Sequence, residues 1–257
     1  MKNSPEKKQK KLIRTGDVIE LGDHRLVCGD ATDKDVMEKL AKDLTIDCLL
    51  TDPPYGVSYT ESKKDFAKLS NDTAIANDDL DDEAGYQKFT AAWLEALLPH
   101  LSKKNSLYIF NSDKMIFALR EAMVGMNIHF AQLLIWTKTH SIIGRLDYLP
   151  QHELIAYGWY GTHQFEKSKD KSVLIHPKPN KSKLHPTMKP VGLLRRLVLN
   201  STKVGDVVCD LFGGSGSTLI ACEQTKRKCL MVESDPEYCQ TTINRFEKLT
   251  GSKATIL

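Results

Sequence analysis

The sequence has 257 residues, enough for one large hydrophobic core, and its 41% hydrophobic and 27% charged residues are ordinary for a globular protein. Its net charge of +3 is too small to indicate nucleic-acid binding by itself, and no apolar run is long enough to cross a membrane. Its six cysteines form no Cys-x-x-Cys pair, which favours reduced core thiols in a cytoplasmic protein over a zinc site or a disulfide framework.

Apolar runs alternate with stretches of helical periodicity along most of the chain. Strands are predicted at 21–30 (after a turn), 46–52, 106–110, 128–136, 153–157, 207–211 and 229–233. Helices are predicted at 34–42, 83–101, 113–124, 190–200, 217–224 and 236–249. The alternation predicts an α/β fold with a mostly parallel, doubly wound, Rossmann-like sheet. Strands 128–136 and 153–157 are expected to form a terminal antiparallel pair.

The chain is predicted to form one domain over residues 16–257, preceded by a flexible basic tail at 1–15. Loop insertions are expected at about 60–80 and 137–185, where polar residues interrupt the periodic pattern.

The stretch from Thr51 to Tyr59 follows an apolar strand and begins Thr-Asp-Pro-Pro-Tyr. Two consecutive prolines lack backbone N–H groups and hold φ at about −65°, so the strand ends at Asp52. In open α/β sheets, ligands bind at the carboxyl ends of the strands. Asp52 and the carbonyl of Pro53 can each accept one hydrogen of an amino group, while Tyr55 stacks on the ring that carries it. The structural alternative is a strand-ending turn, with Asp52 as a cap and Tyr55 as packing.

The stretch from Val207 to Thr218 combines a strand, a glycine-rich turn and the start of a helix. Glycines let the backbone approach a ligand closely, and a helix N-terminus attracts anions. Glu233 ends the next strand, at about the offset from Gly213 where an acid binds ribose hydroxyls in dinucleotide-binding folds. The turn lacks the Gly-x-Gly-x-x-Gly order of nicotinamide enzymes and the Gly-Lys-Ser/Thr of triphosphate loops. What remains is a nucleoside that carries a small zwitterion, S-adenosylmethionine.

Lysines are concentrated between residues 167 and 189, where few acids accompany them. Such a segment is either a solvated loop or one that follows nucleic-acid phosphates. The lysines predicted to bind phosphates are Lys63, Lys64, Lys138, Lys167, Lys169, Lys171, Lys178, Lys181 and Lys183.

Together, the two stretches resemble those of the DNA amino-methyltransferases, which methylate exocyclic nitrogens of adenine or cytosine. Residues 52–55 are similar to their catalytic tetrapeptide and residues 212–218 to their cofactor loop. The catalytic stretch comes first, as in the β group of that family. Further matches follow in the family's order at residues 28–30, 135–138, 152–153 and 185–190, and the likeness spans roughly residues 16–250.

The resemblance implies a role for each matching residue. Catalysis would fall to Asp52, Pro53, Pro54 and Tyr55. The cofactor would be bound by Asp30 at its adenine, Glu233 at its ribose hydroxyls, Phe212 beside it, and Ser215, Thr218 and Lys189 at its methionine end, together with Asp210, Gly213, Gly214 and Gly216.

The expected activity is methyl transfer from S-adenosylmethionine to the N6 amino group of an adenine flipped out of double-stranded DNA. Three alternatives stay open: methylation of cytosine N4, action on RNA or protein, and a catalytically inert DNA-binding relative. An aspartate at the first tetrapeptide position, together with the wide apolar platform of Tyr55 and Tyr59, favours adenine. A homodimer and a cognate restriction enzyme are further partners that the resemblance leaves open, and no membrane is expected.

Overall fold

The computed structural model of the protein describes residues 12–55, 82–141, 147–167, 169–177 and 188–257. Within these ranges the strands are β1 (Val18–Leu21), β2 (His24–Cys28), β3 (Ile46–Thr51), β4 (Leu101–Asn111), β5 (Ile128–Thr137), β6 (His152–Tyr160), β7 (Thr162–His163), β8 (Val173–Ile175), β9 (Val207–Asp210), β10 (Lys228–Glu233) and β11 (Thr255–Ile256). The helices are α1 (Lys34–Ala41), α2 (Glu83–Leu97), α3 (Ile116–Gly125), α4 (Val191–Ser201), α5 (Ser217–Thr225) and α6 (Pro236–Thr250). The predicted insertion at 60–80 lies outside the described residues.

The strands form one sheet in the order β11-β1-β2-β10-β9-β3-β4-β6-β5-β8, with β7 beside β4. The five central strands, β2, β10, β9, β3 and β4, run parallel. Strands β5 and β6 are antiparallel partners, as the sequence predicted, and β6 is also antiparallel to β4. The mostly parallel sheet is therefore confirmed.

Helices cover both faces of the sheet, because successive side chains of a strand point to opposite faces. In β3, Cys48 and Leu50 pack in a core cluster with residues of α4, α5 and α6. Leu49 packs in the opposite cluster with residues of α1, α2 and α3. Both clusters are fully buried at their centres, so the doubly wound prediction is confirmed.

The differences from the predicted elements lie at helix ends and sheet edges. Helix α2 ends at Leu97, because Pro99 lies in the short 3₁₀ turn Leu98–His100 that follows. Strand β4 begins at Leu101 and includes an exposed lysine pair before its apolar run. Strands β1 and β11, the last two at one side of the sheet, are only four and two residues long, too short for a pattern to reveal.

Two further expectations concern the cysteines and the membrane. All six cysteines are buried, as predicted for core residues. Among the described residues, no helix is both long enough and apolar enough to span a bilayer. The single domain over residues 16–257 stays a prediction.

Candidate active site

The parallel strands bring the predicted site residues to one edge of the sheet. Asp52 follows β3, Asp210 ends β9, Glu233 ends β10, and Asp30 comes two residues after β2. Because β3 pairs with β9, β9 with β10 and β10 with β2, these four acids lie at neighbouring strand ends. The catalytic and glycine-rich stretches, some 160 positions apart in sequence, thus meet at the edge where α/β folds bind ligands.

At the centre of this edge, the Asp52 carboxylate is held from two sides. The Tyr55 hydroxyl donates a hydrogen bond to Oδ1, and Lys189 Nζ lies 2.5 Å from Oδ2. About a quarter of the Asp52 side chain, 24%, is exposed, so it is accessible from solvent. Burial raises the pKa of Asp52, and the Lys189 ammonium opposes that rise. Pro53 is buried next to it, with a carbonyl but no N–H group.

Lys189 belongs to a buried ion cluster made of Asp52, Lys189, Glu153 and Lys138. Its ammonium lies 3.0 Å from Glu153 Oε2, and Lys138 Nζ lies 2.8 Å from Glu153 Oε1. Only 7% of Lys189 and 4% of Lys138 is exposed. Two ammonium groups therefore balance two carboxylates inside the site, which offsets the cost of burying them.

Two lysines of this ion cluster have other roles in the sequence prediction. Lys189, predicted at the methionine end of the cofactor, is paired with Asp52 and Glu153. Lys138, predicted to contact DNA phosphates, is enclosed beside the Trp136 ring and paired with Glu153. A buried, paired ammonium presents no exposed charge for a phosphate, so the geometry does not support that role for Lys138.

Asp210 ties the catalytic stretch to the start of α5. The Thr51 hydroxyl donates to its Oδ1 at 2.9 Å, the Thr218 hydroxyl to its Oδ2 at 2.5 Å, and the Phe212 N–H to Oδ1 at 3.2 Å. Burial raises the pKa of Asp210 to about 6, while these hydrogen bonds act in the opposite direction. Thr218, predicted at the methionine end, contributes its hydroxyl to this carboxylate.

The glycine-rich turn needs glycine at particular positions. Gly214 and Gly216 have φ of 51° and 80°, in the left-handed region that other residues avoid. A Cβ on Gly216 would lie 2.7 Å from the Thr242 side chain, and one on Gly213 would overlap Met231. Arg245 of α6 braces the outside of the turn, donating to the Ser215 carbonyl at 2.5 Å and to its hydroxyl at 3.1 Å.

Glu233 closes the turn from the neighbouring strand. Its carboxylate accepts the Gly214 N–H at 2.6 Å and the Asp235 N–H at 2.8 Å, and burial raises its pKa. Its backbone carbonyl accepts the Gly29 N–H at 3.0 Å, which sets the exposed Asp30 beside it. Each carboxylate oxygen has a second lone pair, so the backbone contacts leave acceptor capacity for a sugar hydroxyl.

An aromatic wall flanks the turn. Phe212 is partly exposed, and its ring centroid lies 5.9 Å from those of both Phe89 and Trp93 on α2. This packing fixes the ring at the edge of the site, where a planar ligand would lie against it.

The remaining predicted phosphate-binding lysines are spread along the chain. Lys167, Lys169 and Lys171 are exposed, and Lys63, Lys64, Lys178, Lys181 and Lys183 lie outside the described residues. The Lys167 N–H donates to the Asn200 carbonyl near the end of α4. Helix α4 begins next to Lys189, which contacts Asp52, and it spans 11 residues. Lys167 therefore lies near the far end of α4, roughly 15 Å along the helix from Lys189. The structure therefore does not bring Lys167 to the catalytic residues.

Some site residues were not assigned a role from the sequence. These are Thr51, Tyr86, Asn111, Glu153 and Arg245. Asn111, at the end of β4, donates to the Tyr86 hydroxyl at 2.7 Å and so joins α2 to the site. Glu153 lies in the family match at 152–153, and Thr51 is adjacent to Asp52, but neither was given a role. The other partners are remote in sequence and leave no local pattern.

An acid and a tyrosine around a Pro-Pro turn lie beside a glycine turn closed by a second acid. The sequence predicted this combination for a nucleoside ligand and a planar amino substrate. The model of the N6/N4 DNA methylase family matches residues 46–244. The chain therefore belongs to that family.

Individual proteins are similar to this chain in sequence or in fold. The type II methyltransferase M.HpaI of Haemophilus parainfluenzae is 26% identical over 255 residues, covering 88% of this chain and 74% of M.HpaI. The crystal structure of an M1.HpyAVI–SAM complex superposes with a TM-score of 0.64 at 22% identity, covering 86% of this chain and 98% of the other. The cytosine-N4-specific PvuII DNA methyltransferase gives a TM-score of 0.66 at 16% identity, covering 88% and 89%.

Proposed function

We propose that the protein transfers a methyl group from S-adenosylmethionine to the N6 amino group of an adenine in double-stranded DNA. The observation that carries the proposal is the junction at the sheet edge: Asp52, Pro53 and Tyr55 stand beside the turn closed by Glu233. Membership of the N6/N4 DNA methylase family supports the reaction class.

The residues around the glycine turn fit S-adenosylmethionine. Glu233 offers acceptors to the ribose hydroxyls of the cofactor. Asp30 lies near the cofactor adenine, and Phe212 packs beside the cofactor. The close approach of the turn depends on Gly213 and Gly216, where a Cβ would collide with neighbours. Bound there, S-adenosylmethionine supplies an electrophilic methyl group on a sulfonium.

Asp52 and the Pro53 carbonyl act on the amino nitrogen. Its lone pair is delocalised into the ring, and two acceptors for its hydrogens favour a pyramidal nitrogen with a localised pair. That pair forms the new N–CH₃ bond while the S–CH₃ pair stays on sulfur, and the nitrogen then loses one proton toward Asp52. Orientation contributes about 7–11 kcal/mol to such a step, and preorganised acceptors add a few more.

The target base must leave the duplex to reach this edge. Flipping costs a few kcal/mol, and stacking on Tyr55 returns about 1–3 kcal/mol. Adenine is favoured by the aspartate at the first tetrapeptide position and by the aromatic platform. Cytosine N4 is the second candidate, because its amino group meets the same acceptors and the PvuII relative is cytosine-N4-specific.

The test measures transfer of a radiolabelled methyl group to duplex DNA. Wild-type protein is expected to label DNA, and Asp52→Ala is expected to abolish labelling while both ligands still bind. Asp43→Ala, which removes an exposed aspartate ahead of β3, is the matched control and is expected to label normally. Appreciable turnover in Asp52→Ala would remove Asp52 from the reaction. A homodimer, a restriction partner and a cytoplasmic location stay predictions.

A further inference from the structure

We propose that Lys189, held in place by Glu153, is a positioning residue for methyl transfer that keeps the Asp52 carboxylate ionised and oriented toward the target amino group. The inference rests on the proposed function. It differs from the methionine-end role that the family resemblance implied for Lys189.

The first support is the geometry of the Lys189 side chain. Its ammonium touches Asp52 Oδ2 at 2.5 Å and Glu153 Oε2 at 3.0 Å, and lies 3.3 Å from the Tyr55 hydroxyl. The Phe110 and Tyr55 rings stand 5.0 and 5.6 Å away, where they favour a cation and limit water. Lys189 therefore binds one oxygen of the Asp52 carboxylate, and the Tyr55 hydroxyl donates to the other.

The second support is the charge balance around Asp52. The ionisable groups that face it are Tyr55 of its own segment, Lys189 before α4, Glu153 on β6, Lys138 after β5, Asp210 on β9 and Tyr86 on α2. Without Lys189, Asp52 would face the Glu153 carboxylate as a like charge in a partly desolvated site. Burial and that repulsion both favour the protonated acid, and Lys189 opposes both.

The third support is the chemistry required of Asp52. An ionised carboxylate only accepts hydrogen bonds, whereas a protonated one presents an O–H to the amino hydrogens and loses an acceptor. The ionised form can also receive the proton that the methylated nitrogen must lose. Glu153 contributes indirectly. It is ion-paired with both Lys138 and Lys189, and the second of these pairs holds the Lys189 ammonium beside Asp52.

The experiment measures single-turnover methyl transfer to DNA as a function of pH, with saturating DNA and cofactor, in wild type, Lys189→Met, Lys189→Arg and Glu153→Gln. Lys189→Met is expected to lower the rate about 100-fold, comparable to the loss of one preorganised charge-stabilising group. The acid limb of its pH–rate profile should move to higher pH by about one to three units, the size of an ion-pair effect on a pKa. Lys189→Arg, which keeps the charge, should move the limb back toward wild type.

Glu153→Gln gives the sign test. Removing the like charge while leaving the Lys189 ammonium should move the acid limb to lower pH, opposite to Lys189→Met. Damage to packing alone would not produce shifts of opposite sign. Lys203→Met, at an exposed pair with Glu166, removes a lysine outside the site and should change neither rate nor limb.

Two further measurements keep the test decisive. Should Lys189→Met fold poorly, the double variant Lys189→Met/Glu153→Gln removes one charge of each sign and should still lose rate. Carbon-13 NMR titration of the Asp52 carboxyl, assigned with Asp52→Ala, reports the same ionisation without turnover. A wild type that titrates as described but methylates no DNA would defeat the proposed function. Unchanged titration and acid limb in Lys189→Met, with weakened cofactor binding, would overturn the inference.

Discussion

Tyr55 serves the site with its ring and with its hydroxyl. In the proposed reaction the ring stacks on the target base, and in the structure the hydroxyl donates to Asp52. Tyr55→Phe should reduce turnover about 2–12-fold, the value of one ordinary hydrogen bond. Tyr55→Ala should lose up to about 100-fold more, because stacking goes as well. Steady-state kinetics on duplex DNA checks the order; equal losses in the two variants would show that the ring contributes nothing.

Asp210 makes the stability of the fold depend on pH. Its folded pKa of about 6 lies above the ordinary 3.8, so the folded state holds this proton more tightly than the unfolded state. The stability that this proton contributes is fully present below pH 3.8 and is lost as pH rises to about 6. Asp210→Asn cannot ionise, so its stability relative to wild type should increase by about 2–3 kcal/mol as the pH rises from 4 to 7.

Urea unfolding of both proteins at pH 4 and pH 7 measures this difference. Asp43→Asn, at an exposed position ahead of β3, is the matched control. A gap between Asp210→Asn and wild type that stays constant with pH would show that Asp210 is not held protonated by its surroundings.

At the scale of single elements, the sequence predicted those whose signal is local. The Pro-Pro pair ends β3 just before Asp52, and glycines set the turn before α5, so the local structure of both segments followed from the sequence. The ion cluster could not be found, because Lys189 and Asp52 are 137 positions apart and only the strand order brings them together. Strands β1 and β11 could not be found either, because they are defined by the strands they pair with and not by a pattern in the sequence.

The glycine turn offers a test of its packing. Gly216 and Gly251 both have left-handed φ, 80° and 76°, but only a Cβ on Gly216 meets a neighbour, Thr242 at 2.7 Å. Gly216→Ala should thus lower the free energy of unfolding by about 1–3 kcal/mol more than Gly251→Ala, and should weaken cofactor binding. Urea denaturation and calorimetric titration measure the two effects. Equal destabilisation by both variants would mean that φ strain alone matters at Gly216.

At the scale of the whole molecule, we propose that exposed lysines hold the DNA backbone. Exposed Lys169 and Lys171 flank Asp170, which accepts hydrogen bonds from Arg196 and Asn200 in the second half of α4. Replacing both by Gln should weaken binding to all sequences alike and flatten the salt slope by about 1.8, or about 0.9 per phosphate contact. The control is Lys103→Gln/Lys104→Gln, which removes the same charge at the start of β4. A changed sequence preference at constant affinity would mean that Lys169 and Lys171 read bases.

The central claim is the identity of the methylated atom. In the direct measurement, wild-type protein is incubated with labelled S-adenosylmethionine and duplex DNA. The DNA is then digested to nucleosides, which are identified by mass spectrometry. We predict label on N6-methyladenine that is absent with Asp52→Ala. Label on N4-methylcytosine and none on adenine would contradict the assignment, and unlabelled DNA with cofactor bound would contradict the proposed reaction.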